Sequence, residues 1–171
     1  MSHASKIVTG LWAGPWRSLD ELDELKQVEV VVSCLPIGTR ACDRSAEDIR
    51  GKLAHVKRWN PGRELRHRIL VTSDTDASIP PEHIRHVLDQ THVPTLIHCN
   101  AGQNRSTMLA ACWLLLHRRP IEQPVIEGLD ALNFVGRIRA RDLGRPPKLY
   151  PEMQENVMRF AAWLKQARRG E

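Results

Sequence analysis

The sequence predicts an α/β fold: one domain, residues 1–171, with a central parallel or mixed sheet flanked by helices. Three observations carry this expectation. Val28–Cys34 (Val-Glu-Val-Val-Val-Ser-Cys) is a nearly unbroken β-branched run, the pattern of a strand buried on both faces. The apolar segment Thr95–His98 stops at Cys99, and after a five-residue loop an apolar helix runs from Arg105 to His117. Around these two segments strand-like and helix-like stretches alternate, an order that builds sheets with crossover helices.

Taken along the chain, Ile7–Trp12 reads as a short strand. Ser18 stands as an N-cap before acidic residues, and a helix is expected from there to Gln27. After Val28–Cys34 comes a loop over 35–52 with a short helix near 45–52. His55–Trp59 and Arg68–Thr72 read as two further strands. Pro80 and Pro81 open a helix to Gln90, because proline's missing N–H costs nothing in a first helical turn. Beyond the helix 105–117, two more are expected over 122–139 and 150–168. Ligands of such sheets bind off the carboxyl ends of the strands, which is where Cys99 falls.

Size and composition narrow the classes. The 171 residues, 42% hydrophobic and 26% charged, suffice for one well-buried core and are too few for two ordinary domains. The longest apolar run, Met108–Leu116, is less than half a membrane span and stops at His117, Arg118 and Arg119. The first ten residues hold no apolar core of signal-peptide length, so a cytoplasmic protein without a membrane partner is expected.

Cys34, Cys42, Cys99 and Cys112 form no C-x-x-C pair and no zinc spacing, and a chain that builds a core has no need of a disulfide framework. His83 and His86 lie three apart on a helix but lack a third ligand at a matching spacing, so they read as a solvated face. Neither metal nor cofactor is expected. The net charge of +5 is uneven: residues 50–68 carry seven Lys/Arg against Glu64 alone. That balance suits an anionic substrate and equally suits nucleic acid.

The chemistry concentrates in Leu96–Thr107 (Leu-Ile-His-Cys-Asn-Ala-Gly-Gln-Asn-Arg-Ser-Thr). A cysteine ends a strand, Asn100, Ala101, Gly102, Gln103 and Asn104 form the loop, and Arg105 opens a helix. A loop of this length turns successive backbone N–H groups toward one point in front of the thiol. The helix N-terminus adds its unpaired N–H groups and positive dipole, making a nest for a phosphate. The same field favours the thiolate of Cys99, a nucleophile that needs no general base.

Gly102 permits a left-handed backbone or close approach within the loop. Arg105 presents a planar fork to two phosphate oxygens, which lysine cannot do. Ser106 is placed to donate a hydrogen bond to the sulfur when it leaves, and His98 to brace the loop through backbone hydrogen bonds. A lone C-x5-R would read as a strand-end core thiol; His98, Gly102, Ser106 and Thr107 together favour the functional reading.

These residues match the signature H-C-x-x-G-x-x-R-[S/T], and the chain resembles the compact dual-specificity branch of the protein tyrosine phosphatase superfamily over most of its length. Ile7–Gly14 looks like the opening strand of those domains and Val30–Leu35 like their central strand. Ala131–Val135 with Arg139 and Arg141, then Tyr150–Leu164, looks like their closing helix pair. The resemblance implies a cysteine phosphatase fold and a general-acid aspartate on an upstream loop. Asp74, 25 positions before Cys99 and directly after a strand, fits that role; Asp76 is its rival, and both also read as turn formers. Cys34 resembles in position the second thiol that some lipid-phosphatase relatives pair with the nucleophile, and reads equally as a core cysteine.

The resemblance implies hydrolysis of phosphate monoesters, with phosphotyrosine and/or phosphoserine/threonine proteins or peptides as partners. No Asn-x-x-Tyr segment builds a deep aromatic slot. The loop positions carry none of the lysines that multiply phosphorylated inositol lipids attract, which lowers the phosphoinositide reading. RNA 5′-phosphate is an alternative that the basic stretches allow; Arg17, Arg40 and Arg44 lie in loops that could border the expected site, and read more often as solvent-exposed side chains. Further classes compete: a phosphate-binding module without turnover; a thiol-redox or arsenate-reducing enzyme, which also uses a C-x5-R loop but usually near the N-terminus, whereas here it lies past the midpoint; and a rhodanese-like domain, which fits the His, Gly and Arg-Ser pattern less well.

Overall fold

A computed structural model describes residues 3–36, 45–117 and 128–170. Arg40, Cys42 and Arg44, and the expected helix start at 122, lie outside the described residues. Five strands form one sheet: β1 (Ser5–Val8), β2 (Leu11–Pro15), β3 (Val30–Leu35), β4 (Arg66–Val71) and β5 (Thr95–Cys99), in the order β1-β2-β5-β3-β4. β1 and β2 are antiparallel and every other pairing is parallel, so the sheet is mixed. The helices are α1 (Ala46–Trp59), α2 (Pro81–Leu88), α3 (Arg105–His117), α4 (Gly128–Leu143) and α5 (Pro151–Ala167).

β3 behaves as its composition demands. Val30, Val32 and Cys34 face the core shared with α2–α5, whereas Val31 faces the one built with α1 and the segment Trp16–Glu21. The alternation of a strand sends successive side chains to opposite faces, and here both faces are dry. α3 is covered all round, with Arg105 through Leu115 buried, which accounts for its apolar run. Among the described residues no helix is long and apolar enough to cross a membrane.

Three expectations are corrected. Ile7–Trp12 is not one strand: Gly10 takes a left-handed turn (φ +85°) and splits it into the hairpin β1–β2. His55–Trp59 is not a strand but the last turns of α1. Ser45 and Asp48 form a reciprocal capping box that starts this helix, and Ile49, Leu53 and Val56 bury one face at helical spacing. Ser18 does not cap a helix to Gln27. It is buried in a short 3-10 helix, Trp16–Glu21, and a Cβ on Gly14 would come within 2.0 Å of its Oγ.

Candidate active site

β5 lies between β2 and β3, parallel to both, and Cys99 is its last residue. The loop 100–104 then turns into α3, with Gly102 and Asn104 buried and Ala101 exposed. Cys99 and Arg105 are buried, 3% and 4% exposed, so the sulfur meets only what the loop admits. The Gly102 N–H donates to Cys99 Sγ over 3.2 Å, and Ser106 Oγ is in hydrogen-bond contact with the sulfur at 3.3 Å. With the thiol, S–H donates to Ser106; with the thiolate, the hydroxyl donates instead. Two donors therefore converge on the position where negative charge would reside.

Gly102 is needed on two counts. Its φ is +67°, and a Cβ there would stand 2.3 Å from Pro15 N and 2.5 Å from Gly14 C. The loop thus presses against the end of β2, where the Trp16 N–H also donates to Asn100 O (3.3 Å).

Arg105 Nε donates to Asp74 Oδ1 at 3.1 Å, and Asn104 Nδ2 donates to the same oxygen at 2.9 Å. Arg105 Nη1 reaches Cys34 O at 3.4 Å. Asp74 is therefore brought to the arginine of the loop. Asp76 is not: its Oδ1 accepts from the Ser78 N–H (2.8 Å) and hydroxyl (2.7 Å), and these bonds hold its carboxyl below the usual carboxylate range. The segment between them and α2 is anchored from α5 by Asn156, whose Nδ2 donates to Asp76 O (2.6 Å) and whose Oδ1 accepts from the Ile79 N–H (3.2 Å).

His98 Nε2 pairs with Ser33 Oγ at 2.6 Å, and Ser33 Oγ with His67 Nε2 at 2.7 Å. The single hydroxyl proton goes to one ring, so the other ring must donate to the serine oxygen. Burial above all, then the charges of His67, Arg105 and Lys52, lowers His98 to about 3. His98 is a neutral brace behind the loop. Asn104 and Gln103 have side-chain duties beyond the loop: Asn104 Oδ1 accepts from the Tyr150 N–H (3.0 Å) and Gln103 Oε1 from the Lys148 N–H (3.2 Å).

A small notch adjoins Cys99, lined also by Trp16, Cys34, Leu35, Pro36, Ile49, His98 and Asn100. A second depression lies elsewhere, between the start of α4 and the first half of α5, around Leu129, Pro151 and Met158, and none of its lining side chains is a cysteine or serine. His83 and His86 are exposed on α2, and among the described residues no group of three or more His, Cys, Asp or Glu side chains is arranged to hold a metal. Sequence reading gave no part to Ser33, His67 or Asn156, and to Arg139 only a place in the tail resemblance. Each meets the site from another strand or helix, and no local pattern announces such a meeting.

Neither a protein-family model nor a curated protein sequence matches the chain. Solved structures do. Human DUSP28 is similar at 13% identity over 95% of each chain, with a TM-score of 0.63. A mouse putative dual specificity phosphatase complexed with zinc tungstate is similar at 13% identity over 98% of this chain and 92% of that one, with a TM-score of 0.66. PTPMT1 in complex with PI(5)P is similar at 14% identity over 97% of this chain and 99% of that one, with a TM-score of 0.61. At these identities the likeness is one of fold.

Proposed function

We propose that this chain, which has the dual-specificity phosphatase-like fold of the protein tyrosine phosphatase superfamily, hydrolyses phosphate monoesters through a cysteinyl phosphate on Cys99. The observation that carries the reading is the convergence on one sulfur of the Gly102 N–H and the Ser106 hydroxyl, with the Arg105 guanidinium opening the adjoining helix. In the first step the thiolate attacks phosphorus, the S–P bond forms and the P–O bond to the leaving group breaks. Asp74 protonates the departing oxygen. In the second step Asp74 takes a proton from water, the water oxygen attacks phosphorus, and the S–P bond breaks to return thiolate and inorganic phosphate. Arg105 and the N–H groups of residues 100–104 carry the charge of the trigonal-bipyramidal phosphoryl group, a task that needs no metal.

The proposed substrates are phosphotyrosine and/or phosphoserine/threonine proteins. The notch beside Cys99 is edged by Trp16, Leu35, Pro36 and Ile49, and no position from 100 to 104 carries a cation for a second phosphate. The test is turnover of a phosphotyrosine peptide in EDTA, with acid quench and mass spectrometry of the Cys99 peptide. A phosphoryl group on Cys99 during turnover is expected. Turnover without a phosphoenzyme overturns the mechanism, and turnover confined to inositol lipids or RNA 5′-phosphates overturns the substrate class. Binding of phosphate with no turnover of any of them overturns the enzyme reading.

Cys34 belongs to the same proposal as a resolving thiol. It stands one step beyond the Ser33–His98 pair on the strand next to Cys99, and neighbouring strands about 4.8 Å apart fall within the Cα separations a disulfide spans. Burial, then the charge of Cys99, pushes the Cys34 thiol well up, so it waits as S–H. A peroxide oxidises the Cys99 thiolate to sulfenic acid with release of hydroxide; Cys34 S–H then condenses with it, giving the disulfide and water. Peroxide-treated wild type should recover its activity with dithiothreitol, whereas Cys34→Ser should overoxidise and stay inactive. Equal recovery of both removes Cys34 from this role.

A further inference from the structure

Arg139 on α4 is the largest side chain wholly enclosed by the fold, at 0% exposure. Among the described residues its hydrogen bonds all go to uncharged oxygens. Nε and Nη2 both donate to Gly102 O, at 3.1 and 2.7 Å, and Nη1 donates to Ser5 Oγ (2.7 Å), Ala13 O (3.1 Å) and His3 O (3.3 Å). A guanidinium buried without a carboxylate in contact is an expensive thing to keep. The negative groups nearest in effect are Cys99, first, and Asp142, which reaches Arg139 through Ser5. The fold therefore holds a fixed cation directly beneath the loop that receives an anion.

The two bonds to Gly102 O have a geometric consequence. A trans peptide is planar, with its C=O and N–H pointing opposite ways. Clamping Gly102 O down toward α4 turns the Gln103 N–H up and away from Arg139. The preceding peptide presents the Gly102 N–H to Cys99 Sγ. One side chain thus fixes the peptide that follows the glycine, in a loop where glycine alone leaves the backbone free to flip.

Resting on the phosphatase reading above, we propose that Arg139 is a positioning residue of the phosphate loop: it locks the Gly102–Gln103 peptide so that its N–H faces the bound anion, and its buried charge favours the loop when Cys99 is thiolate or phosphate is bound. Lysine, a point donor, keeps the charge and loses the two-pronged hold on one carbonyl.

The test uses the full chain with Arg139→Lys and Arg139→Met, each checked by circular dichroism and melting temperature. Two readouts need no turnover: the native alkylation rate of Cys99 by iodoacetamide at mildly acidic pH, and the inorganic phosphate concentration that protects it. Arg139→Met should slow alkylation by about tenfold and raise the protecting phosphate concentration by about tenfold or more, the scale of a lost charge-assisted bond. Arg139→Lys should alkylate nearly as wild type and still need more phosphate.

A merely structural role moves alkylation the other way, since loosening exposes a sulfur that is only 3% exposed. Folded variants with faster alkylation, or with wild-type phosphate protection, overturn the proposal. Should Arg139→Met fail to fold, the phosphate protection of Arg139→Lys decides alone. A wild type without turnover sinks the phosphatase reading and leaves this comparison standing.

Discussion

Cys99→Ser is expected to remove turnover, by on the order of 10⁴-fold or more, while leaving phosphate and its analogues bound. The reason is the separation of tasks within the loop. In the proposed mechanism the sulfur makes the bond to phosphorus, whereas the charge on the phosphate is met by Arg105, the helix N-terminus and the loop N–H groups, which the change leaves in the chain. A serine oxygen fits where the sulfur sits and keeps contact with Ser106 and the Gly102 N–H. It is a far weaker nucleophile, because its hydroxyl has no neighbouring base: His98 is turned to Ser33 and stays neutral, and Asp74 lies on Arg105. Hydrolysis of para-nitrophenyl phosphate in EDTA gives the first half of the result and calorimetric titration with tungstate the second. Residual turnover near wild type would mean that another residue attacks phosphorus. Loss of binding together with turnover would mean that the sulfur holds the loop in shape.

The pattern of what the sequence revealed follows from range. Cys99 to Arg105 is a contiguous segment whose parts act on one another directly, so strand end, loop and helix start can be read in one window. α3 and β3 were equally plain, since burial on all sides leaves little but apolar residues. His55–Trp59 misled because five residues with Val56 inward fit a strand as well as a helix. The deciding signals, the Ser45–Asp48 box and Leu53, lie outside that window. The support of the site was hidden for a related reason. Ser33 meets His98 across 65 positions and Arg139 meets Gly102 across 37, and nothing local marks a buried serine or arginine as a brace. Asp74 and Asp76 differ by two positions in an irregular segment, so neither spacing nor strand alternation could separate them; their hydrogen-bond partners do.

Asp74→Asn should lower kcat for a phosphotyrosine peptide by about 10²–10⁴-fold, the range of a lost general acid, while Asp76→Asn stays within about twofold of wild type. Asp76 is committed to Ser78, whose hydroxyl and N–H hold the carboxyl ionised below the usual range, and a carboxylate so held is a poor proton donor. Asp74 is one-third exposed and rests on Arg105 and Asn104, the groups a substrate phosphate would claim. In the proposed mechanism phosphate arriving on the Arg105 fork displaces the carboxylate, which takes up a proton from solvent beside the incoming anion and then faces the oxygen that departs. Two signs follow that a general loss of structure would not produce. Asparagine no longer competes as an anion for Arg105, so inorganic phosphate should bind Asp74→Asn at least as tightly as wild type. The kcat defect should also shrink for para-nitrophenyl phosphate, whose leaving group departs without a proton, and grow for phenyl phosphate. A variant equally impaired on both esters would deny Asp74 the proton transfer, and a crippled Asp76→Asn beside a normal Asp74→Asn would move the role two residues on.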